Sequence, residues 1–125
     1  MITGIHHATF VSGDLLKARA FYEGVLGLCP DPQRPNMSFD GVWYILAPNQ
    51  QLHLMLLPNP EVDLPRPDHG GRDRHLALAV QDLAQLIAKL EQDGVACTQS
   101  QSGRRALFCR DPDGNALEFI EVVAA

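Results

Sequence analysis

His7-Ala8-Thr9-Phe10-Val11-Ser12-Gly13-Asp14-Leu15 is answered 68 residues later by His75-Leu76-Ala77-Leu78-Ala79-Val80-Gln81-Asp82-Leu83. Both stretches read His, a short apolar run, then Asp-Leu, which is the pattern of a strand that enters a helix. In the first helix Leu15, Ala18, Tyr22 and Val25 fall near one stripe. In the second, Leu83, Leu86, Ile87 and Leu90 follow the i, i+3, i+4, i+7 template of an amphipathic helix. Asp14 and Asp82 stand where a side-chain oxygen satisfies first-turn N–H groups, and Gly27 and Gly94 stand where left-handed C-terminal caps belong.

Outward from each helix come β-like runs: Gly41 to Ala47 and Leu52 to Leu57 in the first half, Arg104 to Arg110 and Ala116 to Val123 in the second. Asp111-Pro112-Asp113-Gly114 has Asp at i, Pro at i+1 and Gly at i+3, which suits a type I turn closing a hairpin. Ala47-Pro48-Asn49-Gln50-Gln51 is a looser hairpin signal. Pro58 to Arg74 carries four prolines with Gly70 and Gly71 and reads as a surface connection or lid. The organisation expected is α+β: one domain over 1–125 made of two βαβββ modules, 1–57 and 75–125, joined by the linker 58–74.

Bulk properties agree with one domain and narrow the partners. A chain of 125 residues with 46% hydrophobic content can fill a single core. Its net charge of -5 has the wrong sign for a polyanion, so nucleic acid and anionic membrane are not expected as partners. No apolar run approaches the roughly 18 residues a membrane span needs, and the first residues lack a basic flank, so a soluble cytoplasmic protein is expected. Cys29, Cys97 and Cys109 form no CxxC pair and are expected to be reduced, structural thiols.

Four polar residues stand at equivalent places in the two copies: His7 and His75 in the first strands, His53 and Glu118 in the last. Alternation puts Ile5, His7, Thr9 and Val11 on one face and Ala8 and Phe10 on the helix side; likewise His75, Ala77 and Ala79 oppose Leu76, Leu78 and Val80. Taken singly, each His is more often a hydrogen-bonded strand residue than a ligand, but four at repeat-equivalent positions favour a shared task. Three imidazoles and one carboxylate suit one divalent ion, Fe, Mn, Ni, Co or Zn. His6 is expected on the opposite side as a structural residue, and His69 on the surface or lid.

His7 with Asp14-Leu15, Phe21-Tyr22 and Leu26-Gly27-Leu28, together with His75 and Asp111-Pro112-Asp113-Gly114-Asn115-Ala116-Leu117-Glu118, resembles the vicinal oxygen chelate superfamily. That group includes glyoxalase I, methylmalonyl-CoA epimerase, fosfomycin thiol transferases, extradiol dioxygenases and bleomycin-binding proteins. The resemblance covers nearly all of the chain. It implies paired βαβββ modules forming a curved mixed-sheet cradle around one divalent metal, whose ligands fall on His7, His53, His75 and Glu118.

The family's shared chemistry implies that the ion stabilises an anion on vicinal oxygens. Four protein ligands in an octahedral shell leave two positions, enough for a bidentate enediolate but not for a catecholate with O2. A glyoxalase-like isomerase or lyase is therefore expected first, with Glu118 or a displaced His53 as base. Relatives commonly carry a carboxylate where this chain has His53, which weakens the parallel to glutathione-dependent turnover. An extradiol-type dioxygenase comes second and a fosfomycin-type thiol transferase, suggested by Thr9, third. A metal-free binding protein of the bleomycin type is the non-enzyme alternative. Substrate contacts are expected among Thr9, Phe39, Trp43 and Tyr44, with Arg66, Arg72 or Arg74 for an anionic group. The linker of 17 residues, at ~3.3 Å per extended residue, lets the modules pair within or between chains. A homodimer with shared sites is favoured, because each half alone leaves an open cradle face.

Overall fold

Both helices begin where the aspartates stand. In the computed structural model, which describes residues 1–123, Asp14 Oδ1 accepts from Lys17 N at 3.1 Å and Asp82 Oδ1 from Gln85 N at 2.9 Å. Ala124 and Ala125, the end of the expected second module, lie outside the described residues. The chain divides into two units, Met1–Val62 and Asp63–Ala125, so the boundary falls inside the expected linker rather than at either end of it.

The first unit holds β1 (His7–Ser12), α1 (Leu15–Arg19), β2 (Cys29–Pro30), β3 (Gly41–Ala47) and β4 (Gln50–Leu56). Its four strands run in the order β1-β4-β3-β2, with β1 and β4 parallel and the other pairs antiparallel. The expected single helix is instead α1 followed by a π-helical segment, Ala20–Val25, which Gly27 ends at φ 71°. Its wider turns show in the Leu26 N–H, which reaches back to the Phe21 carbonyl at 3.0 Å. Ala18, Phe21 and Tyr22 bury against Val42, Tyr44, Leu52 and Leu54, all on one face of the sheet.

The second unit repeats this with β5 (His75–Val80), α2 (Leu83–Gln92), β6 (Thr98–Gln99), β7 (Ala106–Arg110) and β8 (Ala116–Glu121), ordered β5-β8-β7-β6. Gly94 caps α2 at φ 71°, and the β7–β8 hairpin closes on Asp111, which accepts from the N–H groups of Asp113 and Asn115 at 2.9 Å each. Leu107, Leu117 and Phe119 are buried in the strands, as are Leu83 and Leu90 in α2. The two-residue strands β2 and β6 complete each βαβββ module. They carry too short a run to show periodicity. β8 ends at Glu121, two residues before the expected limit.

The expected lid is partly anchored. Gly70–Arg72 forms a 3-10 turn, and a Cβ on Gly70 would lie 3.3 Å from the Ala116 Cβ and 3.4 Å from that of Phe108. Arg110 binds Asp73 at 2.8 Å and also the Pro67 carbonyl, so the second half of the linker belongs to the second unit. Among the described residues no helix is long and apolar enough to cross a membrane.

Gly41 is a position that cannot take a side chain without a shift of the backbone. A Cβ there would meet the Leu54 carbonyl oxygen at 2.3 Å, and neither atom can move without opening the β3–β4 ladder. Gly41→Ala is expected to cost about 1–3 kcal/mol, read as a lower urea midpoint at unchanged slope.

Candidate functional site

In each sheet one cross-strand row carries the candidate polar residue at its centre. In the first unit Thr9 pairs with His53 and His53 with Trp43; in the second Ala77 pairs with Glu118 and Glu118 with Phe108. The leading histidines stand two residues before Thr9 and Ala77. The repeat is therefore in register to the residue, and it adds an aromatic pair, Trp43 and Phe108, to the equivalence. This face is open: His7, Thr9, His75, Ala77 and Ala79 are all exposed, while the opposite face packs on the helix.

In the first unit His53 is 8% exposed and lies between two rings, with the His7 centroid at 4.1 Å and the Trp43 centroid at 4.3 Å, both stacked. The Gln51 amide donates to Asp31 at 2.8 Å. Because a carboxylate only accepts, the amide oxygen is left facing His53 Nε2, also at 2.8 Å. Nε2 therefore carries the proton and Nδ1 keeps its lone pair. Burial, then the charges of His7, His6 and Arg34, push the His53 pKa down to about 4. His6 departs from the expected opposite side. β1 starts at His7, so alternation does not reach His6, and the two Nδ1 atoms lie 2.8 Å apart.

That depressed value has a stability consequence in metal-free protein. Between about 4 and the ordinary 6.5 the unfolded chain binds a proton that the folded chain refuses. The contribution is thus full above pH 6.5 and is lost as pH falls through 6.5 toward 4, to a ceiling of about 3 kcal/mol. Urea midpoints of wild type and His53→Gln between pH 7 and 4.5 check this; the variant should show the flatter profile.

In the second unit Glu118 is only 3% exposed, and its Oε1 lies 3.1 Å from His75 Nε2. The other His75 nitrogen, Nδ1, lies 2.8 Å from the Asp73 carbonyl oxygen. A carbonyl only accepts, so Nδ1 carries a proton, and Nε2 then faces the carboxylate through either a second proton or a shared cation. Asp73 itself is held by Arg66 at 2.7 Å and Arg110 at 2.8 Å. On its other oxygen Glu118 accepts from Arg104 Nη2 at 3.3 Å. A cavity of about 230 Å³ opens beside these groups, lined by His75, Glu118, Arg72, Arg104, Ser100 and Ser102 among others.

The four expected ligands therefore come together as two pairs, His7 with His53 and His75 with Glu118. Among the described residues no group of three or more His, Cys, Asp or Glu is gathered as a metal site. Of the expected substrate contacts, Thr9 and Trp43 lie on the open face and Arg72 lines the cavity. Tyr44 does not belong there: alternation turns it to the helix side, where it is fully buried and donates to Glu23 at 2.9 Å. Arg66 is committed to Asp73, and Phe39 sits under the Arg34 guanidinium at 5.8 Å. His69 has both nitrogens engaged, accepting from Gly71 N at 2.9 Å and donating to the Gln99 carbonyl at 3.2 Å. Sequence reasoning missed Gln51, Asp73 and Arg104. The first two lie two residues before a ligand candidate, a spacing that could have found them. Arg104 reaches Glu118 only through the loop geometry.

The Glyoxalase/Bleomycin resistance protein/Dioxygenase superfamily model matches residues 4–119, and the chain belongs to this family. It is 32% identical over 123 residues to the protein YaeR of Escherichia coli (strain K12), covering 94% of this chain and 95% of YaeR. Two solved structures share the fold. TnmS3, an antibiotic binding protein from Streptomyces sp. CB03234, aligns with a TM-score of 0.72 at 22% identity over 96% of each chain. Lactoylglutathione lyase from Agrobacterium tumefaciens aligns with a TM-score of 0.67 at 22% identity, over 96% of this chain and 94% of the lyase. The same fold thus carries an antibiotic-binding protein and a lyase.

Proposed function

We propose that His7, His53, His75 and Glu118 hold one divalent ion, from Fe, Mn, Ni, Co or Zn, and that the protein catalyses proton transfer on a small oxygenated substrate as an isomerase or lyase. The observation that carries this is the His75–Glu118 pair. The Asp73 carbonyl fixes the proton on His75 Nδ1, while Nε2 and a buried carboxylate oxygen converge to 3.1 Å. Roughly 3 Å is the edge spanned by two adjacent ligands that each sit about 2.1 Å from one ion. Backbone support of a ligand's far nitrogen is the usual way a metal-binding imidazole is oriented. His53, with Nδ1 left bare by the Asp31–Gln51 relay, fits the same donor set.

A bound ion would supply Lewis-acid stabilisation of negative charge on the substrate oxygens. The chain's own residues divide the remaining work. Glu118 is the carboxylate placed to hold a proton, and His53, with Nδ1 left unprotonated, would be a second base. Thr9 and Trp43 border the substrate on the open face. That face requires a cover, and a second copy of the chain, pairing His7 and His53 of one protomer with His75 and Glu118 of its partner, supplies one.

The runner-up is an extradiol-type dioxygenase. It is favoured by one observation: the rings of His7 and Trp43 and the Gln51 amide hold His53 without any metal bond. With His53 off the ion, two histidines and one carboxylate remain. An anaerobic Fe(II)-loaded sample given catechols and O2 separates the readings. Solvent deuterium exchange alpha to a carbonyl, without O2 uptake, is the expected result; rapid O2 uptake with a yellow ring-cleaved product would reverse the ranking. Absence of both, with tight binding of an aromatic ligand to metal-free protein, would place the chain with the binding members.

A further inference from the structure

Arg104 and Arg105 are consecutive, yet they serve opposite faces of the second sheet. Arg105 turns to the helix side and binds Glu121 at 2.7 Å, whereas Arg104 reaches over the open face to Glu118 at 3.3 Å. The partners differ sharply in burial: the Arg104 side chain is 60% exposed and that of Glu118 3%. A buried carboxylate without a counter-charge is costly, and two groups face Glu118 when no metal does: His75 Nε2 at 3.1 Å on one oxygen and the Arg104 guanidinium at 3.3 Å on the other. Of the two, Arg104 is the fixed cation, and it enters from solvent. Its tether is slight, since Arg104 Nε donates to Ser102 Oγ at 3.2 Å and Gly103, just before it, sits at φ 81°.

We propose that Arg104 is an exchangeable counter-ion of Glu118. It neutralises the carboxylate in metal-free protein, yields it to a divalent ion, and then turns within the same cavity to receive an anionic group of the ligand. The inference rests on the ligand set proposed above and adds the ligand's chemistry. A guanidinium next to a divalent cation is repelled, and the space open to it is the cavity that also holds Arg72, Ser100 and Ser102. Two guanidinium groups and two hydroxyls there fit a carboxylate or a tetrahedral oxyanion. The favoured ligand is therefore a small molecule that bears an anionic group beyond its metal-binding oxygens. Because Arg104 cannot serve both anions at once, metal and oxyanion binding must help each other by equal factors.

The test uses full-length protein, Mn(II) quantified by its free-ion EPR signal, and sulfate exchanged against chloride at constant ionic strength. Arg104→Gln is expected to bind Mn(II) about five- to tenfold more tightly than wild type, since a charge-assisted contact no longer has to be broken. Arg105→Gln, which removes the same charge one residue away, should match wild type. Sulfate should tighten Mn(II) binding in wild type and have no effect on Arg104→Gln. Equal or weaker Mn(II) binding by Arg104→Gln overturns the exchange, as does a sulfate response that survives in it. Mn(II) affinity unmoved by Glu118→Gln overturns the ligand set itself, an outcome distinct from the other two.

Discussion

Glu118→Gln is expected to weaken divalent-metal binding by more than about 100-fold and to abolish turnover while the protein stays folded. Removing a supporting residue of a metal ligand costs 10–100-fold, and loss of the ligand should exceed that. The substitution is isosteric, and the two partners it affects, Arg104 and His75, have side chains 60% and 28% exposed, so the fold has little to lose. His75→Ala should lose the metal as well. Elemental analysis after dialysis is the measurement, and full retention in His75→Ala would sink the assignment. Since imidazoles must be neutral to bind, wild-type occupancy should also fall as the pH is lowered.

A mixture of two inactive chains should recover activity. Co-refolding His7→Ala with Glu118→Ala yields heterodimers in which, if sites are shared between protomers, one site collects both lesions and the other is intact. Metal binding then returns at about half the wild-type level of sites per heterodimer. If each chain builds its own site, every site carries one lesion and nothing returns. Size-exclusion chromatography with light scattering gives the oligomeric state against which the recovered stoichiometry is read.

The fold was legible because its repeat is carried by strong local signals. Asp14 and Asp82 cap where they stand, Gly27 and Gly94 adopt positive φ, and period-two alternation separates His75, Ala77 and Ala79 from Leu76, Leu78 and Val80. What escaped was either too short or too dependent on tertiary contact. β2 and β6 are two residues each and show no period, and nothing local distinguishes the π-helical turns of Ala20–Val25 from an α-helix. Within the site, repeat equivalence singles out His7, His53, His75 and Glu118 and leads one to expect all four together, whereas the structure joins them as two pairs, His7 with His53 and His75 with Glu118; alternation with Trp43 is the signal that turns Tyr44 to the helix side. Sequence leaves Arg66 open between an anionic substrate group and solvated loop charge, because it cannot show that Asp73 takes its charge.

The shared register of the two ladders bears on how such a site arises. If Thr9–His53–Trp43 and Ala77–Glu118–Phe108 descend from one half-length ancestor, the present difference between them is a broken symmetry at a single rung. Around a divalent ion, four imidazoles leave a centre of charge about +2, two carboxylates a centre of about 0, and the His53–Glu118 combination one of about +1. Divergence at one codon would thus set the electrical appetite of the whole site without moving a strand. On the proposed ligand set, a singly charged oxygen donor, distinct from any group that Arg104 receives, would bring this centre to neutrality.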